Sequence, residues 1–172
     1  YFFQSDRGLP GAVVLFNDFS AQRLSNRHAF LQGSWTKHFN QKTRFQLAGK
    51  FTSDYKYYLD PVYPSISGKL ENIFKQKEYY VTAATAYQLF KKLSVAYAAD
   101  FFRNELNRTD NFALAFANPV RNSFLQSATV RYKGSRLEAQ AQLLHSMVRE
   151  KVEAGNPAMP INIVKPAIGI SY

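Results

Sequence analysis

The chain has no cysteine, and that one absence removes a disulfide framework, a thiolate metal site and a cysteine nucleophile together. Histidine is scarce: His28, His38 and His145 fall in separate segments, none at metal-ligand spacing. No His-Glu-x-x-His run, Gly-x-Ser-x-Gly elbow or glycine-rich phosphate loop occurs. The expectation is a protein that is not an enzyme, with no catalytic residues, no metal and no cofactor. Also missing is any apolar run near the ~18 to 20 residues of a spanning helix. Tyr1 does not open a basic and then apolar targeting signal. The chain is therefore expected to lack targeting information or to have been cut from something longer.

What the chain has in excess is rings. Fifteen Phe, eleven Tyr and one Trp make up 16% of 172 residues, on a chain long enough for one domain. The mean hydropathy is nevertheless a mildly polar −0.32. The 22 Lys and Arg against 12 Asp and Glu give +10, which is compatible with a polyanionic partner. Those bases are scattered over strand ends, turns and loops and form no single stripe, so no nucleic acid is expected. Lipopolysaccharide phosphates meeting positive loops explain the charge equally well.

Wherever the sequence has a period, the period is two. Ala29, Leu31, Gly33, Trp35 and Phe39 alternate with Gln32, Ser34, Thr36 and His38, Phe30 and Lys37 being exceptions. After the polar break 40–42, Phe45, Leu47, Gly49 and Phe51 alternate with Arg44, Gln46, Lys50, Thr52 and Asp54, which makes a hairpin. A second hairpin sets Tyr79, Val81, Ala83, Tyr87 and Leu89 before a turn at 91–92, and Leu93, Val95, Tyr97, Ala99 and Phe101 after it. A third joins 122–132 to 136–149 through 133–135, with Leu137, Ala139, Ala141 and Leu143 alternating with Arg136, Glu138, Gln140 and Gln142. Ile168, Ile170 and Tyr172 close a last strand, and Tyr1 to Gln4 read as the tail of another, about eight in all.

Between hairpins the connections are long, near 6–26, 56–76, 104–121 and 150–161, and they hold six of the seven prolines. Compact soluble domains rarely need several such loops. Outer-membrane barrels alternate short periplasmic turns with long outer loops in this way. Aromatics sit at both levels, with Phe39, Phe90, Tyr132 and Tyr172 by the short turns and Tyr55, Tyr57, Tyr58, Tyr79, Tyr80, Phe101 and Phe102 near the loops, as in the girdles of such barrels. The fold expected is all-β, an antiparallel transmembrane β-barrel. Leu31, Trp35, Phe45, Leu47 and Phe51 then face lipid, and Gln32, Ser34, Thr36, Arg44, Gln46 and Lys50 face a wet lumen. On the lumen side Arg44, Lys50, Lys56 and Arg103 are expected to pair with Asp54, Glu78, Asp100 and Glu138. The loop aromatics Tyr57, Tyr58, Tyr63, Phe74 and Phe112 are the candidate ligand contacts, since a ring gives large contact area with, in tyrosine, a polar handle. A soluble β-barrel or sandwich alternates as well, and it stays as an alternative.

The stretches "SDRGLPGAVVLFN" and "QRLSNRHAFLQGSW", with "DYKYYLDPVYP" and "NPVRNSFLQSA" further on, resemble the mid-barrel region of Bacteroidetes-type TonB-dependent outer-membrane receptors. The resemblance covers most of the chain and consists of loop punctuation and strand pattern. It implies a bacterial outer-membrane location, among lipid and lipopolysaccharide, and a segment of a barrel commonly of about 22 strands. It also implies a plug domain, an energy-coupling TonB complex, and import of a scarce small molecule such as an iron chelate, a cobalamin-like compound or a glycan. Neither plug nor coupling box is visible in the chain. A complete small eight-stranded barrel acting as anchor, adhesin or small-ligand binder is the other membrane reading.

Overall fold

A computed structural model describes residues 1–8, 22–61, 68–110 and 117–172. Eight strands run in order: β1 (Phe2–Gly8), β2 (Arg23–Asn40), β3 (Thr43–Asp60), β4 (Leu70–Phe90), β5 (Leu93–Asp110), β6 (Val120–Lys133), β7 (Glu138–Lys151) and β8 (Ile161–Ser171). They form one antiparallel sheet in which every strand pairs with its sequence neighbours, and no helix occurs among the described residues. β1 and β8 are its two edges and do not pair with each other, so the sheet is open and the expected closure into a barrel is not seen.

Turn length alone would have spoiled the first two hairpins. A two-residue turn at Gln41 and Lys42 pairs Asn40 with Thr43, and that register, continued, would set Leu31 against Thr52. A bulge at Phe39 shifts it by one, so that Leu31 meets Phe51 and Trp35 meets Leu47. Lys42 N–H closes the turn on Asn40 Oδ1 at 2.8 Å. The second hairpin repeats the device: Phe90 pairs with Leu93, Leu89 is the extra residue, and Val81 then meets Phe101. Phe39 and Leu89, expected to continue the apolar faces, are thus the residues spent on phasing them. The third connection is longer, and β6 and β7 pair from Lys133 and Glu138 onward with no shift, Val130 opposite Ala141. Here Gly134 donates to Leu137 O at 2.7 Å, and a Cβ on it would lie 3.1 Å from that oxygen and 3.2 Å from the Tyr132 ring.

With the apolar sets in phase, one mainly apolar face runs from β2 to β8, interrupted at mid-level by the paired Gln126 and His145. Leu31, Trp35, Phe45, Leu47, Phe51, Val81, Val95, Phe101, Val130, Leu143 and Ile168 share it by direct pairing or alternation. Nothing covers it. No apolar residue among the described ones is buried; Leu31 is 73% exposed, Trp35 50% and Ile168 80%, while Thr52 on the other face is the one buried residue. A water-soluble domain buries such a face against a second layer.

The strands are longer than expected and the loops shorter. β3 continues to Asp60 and β4 starts at Leu70, where a loop near 56–76 was expected; β1 reaches Gly8, β2 starts at Arg23, β5 reaches Asp110, and β6 starts at Val120. Beyond Phe51, β3 carries nine more residues to Asp60, roughly 30 Å of strand at ~3.3 Å per residue. Polar and charged side chains there occupy both faces, Tyr55 and Tyr57 on one and Asp54 and Lys56 on the other, so the period fades while backbone pairing persists.

Candidate functional site

The face opposite the apolar one gathers most of the polar side chains of β2 to β5. The strand register writes it as rows: Gln32, Lys50, Tyr80 and Phe102; then Phe30, Thr52, Glu78 and Asn104; then His28, Asp54, Gln76 and Leu106; then Asn26, Lys56, Phe74 and Arg108. Ser34, Thr36, Arg44 and Gln46 continue it towards the short turns. The two residue sets assigned to opposite faces from sequence do lie on opposite faces of the sheet.

Hydrogen bonds tie side chains within the rows and between them. His28 Nδ1 lies 2.5 Å from Asp54 Oδ1 across the β2–β3 pair. Glu78 Oε1 accepts from Gln76 Nε2 at 2.8 Å and from Asn104 Nδ2 at 3.1 Å. Tyr80 donates its hydroxyl to Asp100 at 2.9 Å and packs on Phe102 with 4.5 Å between ring centroids. Lys50 sits 5.8 Å over the Phe30 ring and Arg108 5.4 Å over Phe74. Asp54, Lys56, Phe74, Gln76 and Leu106 line a shallow hollow of about 260 Å³. Nearby, Asn26 Oδ1, Thr52 Oγ1 and Asn72 Oδ1 are shielded from solvent with no protein partner, where buried polar atoms ordinarily have one. The surface therefore offers rings, amides, a carboxylate and an ammonium side by side, which suits reversible contact with a polar solute.

Several sequence expectations need correcting here. Tyr57, Tyr58 and Phe74 are on strands, not in loops, because β3 and β4 run further than their apolar period. Tyr57 and Tyr58 point to opposite faces as neighbours in a strand must, so they do not form one grip. Tyr58 and Phe74 share the polar face; Tyr63 and Phe112 lie outside the described residues. Arg103 is on the apolar side, opposite Tyr79, and pairs with Glu105 at 2.6 Å. The double ring Phe101-Phe102 hides the parity that settles this. The expected lumen pairing also fails: Asp54 takes His28, Asp100 takes Tyr80, Glu78 takes two amides, and Glu138 takes Arg131 at 2.6 Å.

The pairing of His28 with Asp54 was not foreseen from sequence and could have been: once the bulge at Phe39 is allowed, the register that matches Leu31 with Phe51 sets His28 opposite Asp54. Beyond the apolar band, Tyr57 hydrogen-bonds Glu71. That bond first and Lys69 second, at 3.2 Å, hold the Glu71 carboxyl below the usual carboxylate range. Tyr57 is pushed up, by partial burial first and then by Glu71. At the same end Asn118, with φ 42°, accepts from Arg108 N–H at 2.9 Å and donates to Glu153 at 2.7 Å, stitching two connections together. Among the described residues no three His, Asp or Glu side chains converge as a metal-binding group.

The sequence matches no protein-family model, and no protein of curated function is detectably similar to it.

Proposed function

We propose that the sheet is an arc of an outer-membrane β-barrel, with the apolar face against lipid and the polar face lining the lumen. In this reading it belongs to a TonB-dependent receptor that imports a scarce nutrient, an iron chelate, a cobalamin-like compound or a glycan. The observation that carries the reading is the uncovered apolar face. From Tyr79 to Tyr87 in β4 it spans eight residue steps, about 27 Å along the strand, and the charges that described residues put on it at that level, among them Arg103, opposite Tyr79 at the loop margin, and Lys37, opposite Phe45 towards the turns, stand near its ends. Such a band is close to the roughly 25 Å apolar belt of membrane barrels. Its margins carry rings, Tyr87, Tyr97 and Tyr132 towards the turns and Phe51, Tyr79 and Phe101 towards the loops, with Trp35, Leu47, Ala83 and Ala99 between.

The free edges of β1 and β8 favour an arc of a larger barrel over a closed eight-stranded one. Loop punctuation favours the receptor family. The polar face supplies hydrogen-bonding rows of the kind that a selective pore uses. A soluble sandwich would require a second layer over the apolar face.

The absence of cysteine makes the test direct. Single substitutions Leu47→Cys, Val81→Cys, Gln46→Cys and Thr82→Cys are placed in the intact protein in lipid vesicles. The expected result is reaction of positions 46 and 82 with a water-soluble maleimide, and of 47 and 81 only with a lipid-soluble one. Equal labelling of all four by the water-soluble reagent would sink the lipid-facing assignment.

A further inference from the structure

The net charge is not spread evenly. At the short-turn end stand Lys37, Lys42, Arg44, Lys91, Lys92, Arg131, Lys133 and Arg136, all exposed, with Glu138 as the one acid there among the described residues. That is a surplus of seven out of the chain's +10. Only Arg131 of the eight has a carboxylate partner, Glu138. The loop end is different in kind: its cations and anions are interleaved and tied, Lys69 to Glu71, Arg103 to Glu105 and Arg121 to Glu150.

Three layers are therefore stacked along each hairpin. First comes the apolar band, then exposed rings, Phe39, Tyr87, Phe90 and Tyr132, then the cations. Lys37 joins two of the layers, its ammonium 5.2 Å over the Phe39 ring. From Leu47, mid-band, to Lys42 is five residues, roughly 16 Å of strand, close to half of a ~30 Å hydrocarbon core. That puts the cations at the depth of lipid phosphates.

We infer that the short-turn end is a binding surface for the phosphates of anionic phospholipid in the leaflet that it faces. The inference rests on the transmembrane reading and adds a lipid class to it. Unpaired ammonium and guanidinium groups at that depth gain from a negative surface potential, which falls off within a Debye length of ~8 Å at physiological salt. Rings above them hold the level, and the apolar face takes the acyl chains. Lipopolysaccharide phosphates, expected from sequence at the loops, would meet a charge-balanced rim instead.

The test uses the intact protein and two kinds of vesicle, pure phosphatidylcholine and the same lipid with about one third phosphatidylglycerol. Inserted fraction is read over time from the mobility of unheated samples on gels. Two variants are compared with the wild type. One carries Lys42→Gln, Lys91→Gln, Lys92→Gln and Lys133→Gln; the other makes the same charge change at the loop end with Lys69→Gln, Lys75→Gln, Lys77→Gln and Lys151→Gln.

The expected result is insertion about tenfold faster into the anionic vesicles at low salt, a preference abolished by salt on the order of 0.5 M. The turn variant loses the preference while still inserting into phosphatidylcholine, which shows that it folds, and the loop variant keeps it. Equal insertion of the wild type into both vesicles, or a preference that survives in the turn variant, overturns the inference and leaves the membrane reading standing. No insertion into either vesicle overturns both.

Discussion

Neighbouring residues on β3 belong to faces of opposite character. Phe45, Leu47 and Phe51 belong to a face that on β2 to β4 is held by ring and aliphatic contacts, Trp35 beside Phe45 with centroids 5.9 Å apart and Phe51 beside Tyr79 at 5.1 Å, and that further on carries the polar pairs of Tyr97 with Gln126 and His145 with Asn162. Arg44, Gln46 and Lys50 alternate with them on a face that carries the hydrogen bonds of His28, Glu78 and Tyr80. In a soluble sheet the apolar side would be the buried one. Here both sides are open and the polar side holds the one buried residue, Thr52. In the proposed reading, dryness is supplied by the surroundings, a solvent that is apolar on one side.

The sharpest way to break that contrast is to put the same charge on each side. Leu47→Arg is expected to cost about 2 to 4 kcal/mol of stability in a bilayer, as a lipid-facing charge near the midplane does, while Gln46→Arg costs less than ~1. Urea titration of both variants in vesicles decides it, and equal midpoints would remove the difference between the faces.

A gentler version uses adjacent tyrosines. Tyr80→Phe deletes the hydroxyl that reaches Asp100 and is expected to cost about 1 kcal/mol, whereas Tyr79→Phe, whose ring packs on Phe51, stays within ~0.5. The same titration ranks them, and a larger loss for Tyr79→Phe would mean that the apolar face is wet. The smallest effect is expected at the half-exposed pair of His28 and Asp54, where Asp54→Asn costs about 0.5 kcal/mol. A loss of several kcal/mol there would mean that the polar face is sealed from water by another element.

Much of the sheet was legible because alternation is a property of strands wherever one face differs from the other. Leu31 to Phe51 and Tyr79 to Phe101 announce two hairpins before any register is known. What was not legible follows from the same rule. Where both faces carry polar side chains, as from Lys56 to Asp60 and from Leu70 to Gln76, alternation carries no signal, and strand was read as loop. The ligand candidates Tyr57, Tyr58 and Phe74 were misplaced for that reason. Bulges are the second blind spot: a ring at Phe39 looks like one more member of the apolar series, and only pairing with Phe45 to Phe51 reveals that it must be skipped. The polar pairs were lost with the register, since a one-residue slip takes His28 away from Asp54.

Every strand pairs only with its neighbours in sequence, so assembly need never wait for a distant segment. Each hairpin can close as soon as it has been made, and the slow search for remote partners that burdens many β proteins is absent. The cost is exposure. A nascent sheet of three or five strands presents the same two raw edges and the same bare apolar face as the arc of eight, so no intermediate is safer than the last. If the sheet is bound for a membrane, as proposed, its protection on the way there has to come from an escort, because growth of the sheet cannot provide it.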